Sequence, residues 1–322
     1  MQDAVVPVES GNAIRGMLSQ PWRWALYCMG AALRQAEAIR LPRILMYHVV
    51  ADGHLSPARF AWQLRFLRKH FEPVTLEELV RRMSKGTSTG REIALTFDDG
   101  VRNHYDMVWP MLHANAMPAT FFVCSDLVES GAWIWRTELR QRLGTLDAAL
   151  RARAARGSGC SATTTHAIME WTKSLSAPEC RVFQDKIAAL TPDFTPSPQQ
   201  AALHAPLSWE QLRGMDPRLV TIGSHTRSHP LLTTLTEAQL QDEIIGSKRA
   251  LEDGLDRSVD FFCYPNGITT PASVALVRAH YRAAVTIRCD FVRPGEDLAQ
   301  LPRIPADGSR ATLARRLHRP AA

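Results

Sequence analysis

Ile93-Ala94-Leu95-Thr96-Phe97-Asp98-Asp99-Gly100 decides how this chain is to be read. Ile93 to Leu95 is a short apolar run of the kind that forms a buried strand. Two adjacent carboxylates stand where that strand ends, and Gly100 turns the chain away. Far along the sequence the arrangement recurs. Leu219-Val220-Thr221-Ile222 reads as a strand and runs into Ser224-His225-Thr226-Arg227-Ser228-His229-Pro230. One carboxylate and two histidines make a three-ligand set that leaves a zinc-like ion an open position for water. The second carboxylate is then free to act as a base.

Outward from these two stretches the chain alternates apolar runs with helical spacing. Strands are expected at Ile44–Tyr47, Ile93–Phe97, Ala119–Val123, Val220–Gly223, Phe261–Tyr264 and Ala283–Ile287. Between them, helices are expected at Phe60–His70, Thr75–Met83, Met107–Ala114, Ser208–Met215, Thr236–Leu255 and Pro271–His280. Thr75, Ser208 and Thr236 serve as N-caps, with Glu78 and Gln211 three residues on to complete capping boxes. The alternation predicts a parallel α/β sheet or barrel. Residues 131–205 interrupt it with helices and loops, read as an insertion over the barrel mouth rather than a separate domain. The stretch through Leu301-Pro302-Arg303-Ile304-Pro305 reads as irregular, and the basic tail 310–322 as a surface helix.

The topology has a chemical consequence. His48, Asp98, Asp99, His225 and the Pro265-Asn266-Gly267 turn each follow an expected strand directly. In a parallel barrel the C-terminal strand ends share one face, where such enzymes place their chemistry. Asp99, His225 and His229 are therefore the expected ligands of a divalent metal, and Asp98 the expected base. Oxygen and imidazole donors suit Zn2+, and also Co2+ or Ni2+. Each part has a plainer reading: Asp-Asp-Gly is often only a turn, and a lone histidine usually serves packing. Their joint position at matching strand ends favours the metal site.

At these residues the chain resembles the polysaccharide deacetylases, the NodB-homology enzymes of carbohydrate esterase family 4. Thr96–Gly100 and His225–His229 match that family's first two motifs, and the likeness runs from about Arg43 to Ile304, apart from the insertion at 131–205. It implies an α/β fold, a distorted incomplete (β/α) barrel of the NodB-homology type. It also implies metal-dependent removal of N-acetyl groups from an N-acetylated glycan, in exopolysaccharide or cell-envelope metabolism. In the family the first Asp is the base and the second a ligand, as reasoned for Asp98 and Asp99. The third motif departs. Cys263-Tyr264-Pro265-Asn266-Gly267 keeps Pro and Gly but lacks the family's arginine and final tyrosine. The oxyanion role of a backbone N–H in that turn is assigned to Asn266. Arg303 is the candidate to replace the missing arginine, which orients the base; its plainer reading is a surface salt bridge.

The acid departs as well. The family's C-terminal Leu-x-His has no convincing counterpart, since Arg316-Leu317-His318 lies in the tail with no strand before it. Met46-Tyr47-His48-Val49 instead resembles the N-terminal motif of the exopolysaccharide branch, typified by poly-N-acetylglucosamine deacetylases. That likeness makes His48 the acid, in keeping with an imidazole's ready proton exchange near neutral pH. The alternative is a structural hydrogen bond in the core. Asp290 and Asp307 are weak candidates to tune the acid. Trp133, Trp135 and Trp209 are candidates to stack on sugar rings, or to pack in the core. Two other functions stay open: an O-acetyl esterase on a polysaccharide, and a silent carbohydrate-binding or scaffold protein.

Composition bounds the rest. With 322 residues, 45% of them hydrophobic and 22% charged, the chain can build a large soluble core. A net charge of +6 favours anionic partners only slightly. With no compact basic helix, Gly-aromatic sheet motif or finger spacing, no nucleic acid partner is expected. None of the six cysteines forms a C-x-x-C pair, so a thiolate zinc site is not expected. The domain reading is an N-terminal helical extension over 1–40, the catalytic domain over 41–309 and the tail over 310–322. Trp22 to Leu33 is apolar but too short to span a bilayer. It reads as an amphipathic helix that packs on the domain or makes peripheral membrane contact. Without a visible secretory signal the expected location is the cytoplasm, at the membrane's inner face if that helix lies there.

Overall fold

A computed structural model describes residues 30–320, with a helix at Ala31–Ala38 and no side-chain placement for 31–33. The apolar stretch from Trp22 lies otherwise outside the described residues. Among them, no helix is long and apolar enough to cross a membrane.

Eight strands form one parallel sheet. They are β1 (Arg43–Tyr47), β2 (Glu72–Pro73), β3 (Glu92–Phe97), β4 (Ala119–Val123), β5 (Val220–Ser224), β6 (Phe261–Cys263), β7 (Ala283–Val285) and β8 (Ile304–Pro305). The order is β7-β6-β5-β4-β3-β1-β8, with β2 also pairing with β3. All six residues of β3 and all five of β4 are buried, as expected for strands covered by helices on one side and barrel interior on the other. The registers bring the strand ends level: Tyr47 pairs with Phe97, Phe97 with Phe121, and Val123 with Ser224. The catalytic candidates leave the sheet from that common rim.

Leu301–Pro305 is not irregular. Leu301 bridges to Val285 of β7, while Ile304 and Pro305 pair with Leu45 and Met46 of β1. One short segment thus touches both ends of the sheet and curls it into a barrel. Pro302 and Pro305 hid this strand, because a proline cannot donate to a ladder. Here the donors are Leu301 and Arg303, whose N–H groups reach Ala284 O and Arg288 O at 2.8 and 2.9 Å. The tail helix, Arg310–Arg316, is not confined to the surface: Leu313 and Leu317 are fully buried. Arg43, itself buried, donates to Ala36 O and Leu317 O and so ties the helix Ala31–Ala38 and the tail helix to β1.

Most expected helices are present, with local differences. Thr236–Leu255 contains a wider turn at Asp242–Gly246, and the helix expected at Met107–Ala114 starts earlier, with a wider turn at His104–Val108. Thr75 accepts from Glu78 N–H, but the Glu78 carboxylate turns to Arg81 and Arg82, so no capping box closes. Residues 131–205 hold helices and loops without a strand, chiefly the helices Trp135–Thr145, Ala148–Arg156, Thr165–Trp171 and Ala177–Leu190. They bury their own cluster, including Leu139, Leu143, Ile168, Phe183 and Ile187. The chain returns from them along Gly100–Arg102, where Leu207 N–H donates to Gly100 O at 2.9 Å and Arg102 N–H to Ala205 O at 2.6 Å.

Candidate metal and acid–base site

The turn after β3 separates the two carboxylates. Asp99 and Gly100 both sit in the left-handed region, at φ 79° and 59°. At Gly100 a Cβ would come within 2.9 Å of Val123 Cα, so only glycine fits. The reversal sends Asp98 into the barrel and Asp99 toward β5.

Asp98 is buried against Arg303. Two guanidinium N–H groups donate to its two oxygens, at 2.6 and 2.8 Å. Arg303 is fully buried and also donates to Thr286 O, Thr96 Oγ1 and Cys263 Sγ. Arg303 is therefore no surface salt bridge; the closing strand delivers it to the base candidate. Burial would raise the Asp98 carboxyl, but the Arg303 charge and hydrogen bonds outweigh it and hold the group down to about 2. A carboxylate so paired stays ionised across the working range of most enzymes.

His48 stands across from this pair, with Nε2 3.9 Å from Asp98 Oδ2 and about half of its side chain exposed. Sequence reading missed what positions it. Asn103 donates to Val50 O and accepts from Val50 N–H, both at 2.9 Å, and His104 Nε2 meets His48 O at 2.8 Å. Burial pushes His104 down to about 4, so its ring is neutral. The signal was present in the sequence as two polar residues four and five places after Asp99 on a helix whose next turns are apolar.

The histidine loop holds the second group. Thr226 and His229 are left-handed at φ 69° and 60°, each at a cost on the order of 1–3 kcal/mol. Side chains fix that geometry: His229 N–H donates to Thr226 Oγ1, while Glu243 accepts from Arg227 N–H, Ser228 N–H and the Ser228 hydroxyl. The Trp135 indole N–H donates to His229 O at 3.0 Å, so the inserted helices reach the site. As a result both His225 Nε2 and His229 Nε2 lie 3.6 Å from Asp99 Oδ1.

These residues fit a divalent cation. The donor atoms of Asp99, His225 and His229 all lie within 4.8 Å of one another. His225 Nδ1 lies 2.7 Å from Cys263 O, a carbonyl that can only accept. Nδ1 thus donates its proton to that carbonyl, the usual outer support of a metal-bound imidazole, and Nε2 is the atom that would coordinate. Burial lowers the ring's pKa, but Cys263 and Asp99 outweigh it and raise it well above the ordinary value, so a cation would displace the Nε2 proton. Burial and the neighbouring His225 push His229 down to about 4, which keeps it neutral and able to coordinate. Burial opposes ionisation of Asp99, but the surrounding imidazoles lower its pKa well below the ordinary value. Asp98, His225 and Cys263 are equally close together. That set is already committed, because Arg303 occupies Asp98 and burial raises the Cys263 thiol.

Asn266 follows β6 on the same rim, in a left-handed turn at φ 55°. Among the described residues no hydrogen bond or ion pair joins it to the other six candidates. Its Nδ2 is buried without a partner. The Trp209 indole N–H donates to Glu129, and its ring packs against Gly254. Asp290 engages Arg293 and Phe291 N–H. Asp307 pairs with Arg316 and lines, with His48, Asp99, Thr137, Arg140 and His204, a cleft of about 310 Å³.

Residues 85–284 match the family described as polysaccharide deacetylase. No curated protein matches the chain in sequence. Among solved structures, the fold is similar to that of a Streptococcus pyogenes deacetylase, PplD, in complex with acetate. That pair has a TM-score of 0.59 and 19% identity over 88% of this chain and 98% of that one. It is also similar to IcaB from Ammonifex degensii, with a TM-score of 0.56 and 19% identity over 85% and 97% of the two chains. A de-N-acetylase from Aggregatibacter actinomycetemcomitans gives a TM-score of 0.54 and 14% identity over 85% and 99%. At these identities the likeness is one of fold.

Proposed function

The chain belongs to the polysaccharide deacetylase family, whose members remove acetyl groups from glycans, and from that premise we propose that its substrate is an N-acetylated polysaccharide or oligosaccharide and that it requires a divalent cation, Zn2+ in the first instance. The observation that carries this reading is the side-by-side placement of an Arg303-held carboxylate and a three-donor cluster at one barrel rim.

Asp99, His225 and His229 would hold the cation. When bound, it would supply Lewis-acid polarisation of the acetyl carbonyl and lower the pKa of a water toward ~7. Asp98, kept ionised and aimed by Arg303, accepts a proton from the attacking water. The Asn266 N–H is assigned to the carbonyl oxygen as negative charge develops there. An amine is a poor leaving group until it is protonated. His48, on the open side of Asp98, donates that proton as the C–N bond breaks, and acetate is released.

The test is acetate release from paired N-acetylated and O-acetylated oligosaccharides, with and without prior chelation. Release from the N-acetylated member, lost on chelation and restored by Zn2+, is expected. Release only from the O-acetylated member would replace this reading with an esterase. No release from either would favour a silent binding protein.

A further inference from the structure

The inserted helices build a second cavity next to the site, and it is the larger of the two. It measures about 430 Å³ and lies between the helices Trp135–Thr145 and Ala177–Leu190 and the histidine loop. Ser228 and Pro230, on either side of His229, form part of its wall. Trp133 lines this cavity, His204 lines the cleft that holds His48 and Asp99, and the two rings meet at 5.8 Å between centroids. The two hollows are thus neighbours across one aromatic contact.

The lining suits a sugar. Half-buried Trp133 and Trp135 offer aromatic surface, and Arg181, Gln184 and Asp185 supply polar groups around it. A pyranose ring has a carbon–hydrogen face that packs on an aromatic ring and hydroxyls at its edge that need such partners. A mainly apolar hollow of roughly 300–1,000 Å³ with a few polar groups has the form of a small-ligand site. Its place beside the cleft, one aromatic contact away, points to more of the same glycan as its ligand.

We propose that this cavity is a second sugar subsite, binding pyranose units of the same chain beyond the one being deacetylated, with Trp133 as the ring on which the glycan passes from cleft to cavity. The proposal rests on the deacetylase reading for its substrate class. It adds that this chain prefers oligomers to short fragments, and that residues 131–205 set the preference.

The test uses N-acetylglucosamine dimer and hexamer, with affinities measured by calorimetry on metal-loaded full-length protein carrying Asp98→Asn, so that the probes are not consumed. The hexamer should bind about tenfold tighter or more, a ratio an aromatic stacking contact can supply. Trp133→Ala, and separately the cavity-filling Ala188→Trp, should each bring the ratio to within about twofold of one. Circular dichroism on each variant checks folding. Equal binding of the two probes by the Asp98→Asn protein would overturn the subsite, as would a ratio that survives both cavity variants. The outcomes separate from those of the deacetylase reading. Acetate release without length preference removes only the subsite, whereas a Trp133-dependent preference without acetate release removes only the activity.

Discussion

Arg303 and Asp98, 205 positions apart in sequence, form a two-point ion pair inside the barrel, at 2.6 and 2.8 Å. The pair joins the residue before the last strand to the end of β3, so closure of the fold also positions the proposed base. Arg303→Met should leave a buried carboxylate without its partner, at a cost of about 3–5 kcal/mol in denaturant unfolding. Burial would then dominate and raise Asp98, so the acidic limb of the kcat/KM profile should move to higher pH. An unchanged limb would mean that Arg303 does not govern the base. Arg303→Lys should rescue only in part, because a single ammonium cannot span both oxygens.

The same pair sets a stability window. Asp98 is held at about 2 in the folded protein, below its ordinary value of 3.8. The unfolded chain therefore binds that proton more tightly. The contribution of the pair is present above about pH 4 and is lost as the pH falls toward about 2. Urea unfolding across that interval should show a steeper loss of stability in the parent than in a doubly substituted Asp98→Asn, Arg303→Met protein. Parallel curves would contradict the assignment.

Removing the proposed acid should slow turnover without disturbing metal content. His48→Ala is expected to lower kcat by about 10²–10⁴. Asn103→Ala, which frees the Val50 backbone behind His48, should lower kcat by about tenfold, a smaller loss than removal of the acid itself. KM should change little in both, since neither residue is assigned to glycan binding. Equal losses in kcat and in metal would instead mark the loop as a scaffold for the cation.

His229→Ala should abolish tight metal binding. One donor is lost, and Asp99 and His225 alone do not make a three-donor set. Inductively coupled plasma mass spectrometry should find about one equivalent of metal per chain in the parent and far less in the variant. Trp135→Phe, which keeps the ring but removes the N–H bonded to His229 O, should weaken retention by a smaller factor. Full metal content in His229→Ala would exclude the assigned ligand set.

Much of this site was legible because its chemistry is written locally. Asp98 and Asp99 sit together after a buried strand, and His225 and His229 share one short loop, so residue type and spacing carried the reading. The parts that were not legible depend on distant partners. Leu301–Pro305 is five residues with two prolines, and nothing local shows that it pairs with both β7 and β1. Arg303 could be named from the family likeness, but its choice over a surface salt bridge rests on barrel closure, which carries it to Asp98. His104 and Asn103 likewise gain their meaning from the loop that follows β1. The tail helix reads as basic, yet Leu313 and Leu317 pack inward. A short helix of mixed composition conceals its buried face until its neighbours are known.

The most direct test of the account is the metal content and acetate release of Asp98→Asn, measured on one preparation beside the parent. Asn keeps the volume and loses the charge, so the cation should remain at about one equivalent on Asp99, His225 and His229 while acetate release from N-acetylglucosamine oligomers falls by about a thousandfold or more. Parent-like acetate release would contradict the role of Asp98 as base. Loss of the metal together with activity would contradict the division of labour between the two adjacent carboxylates.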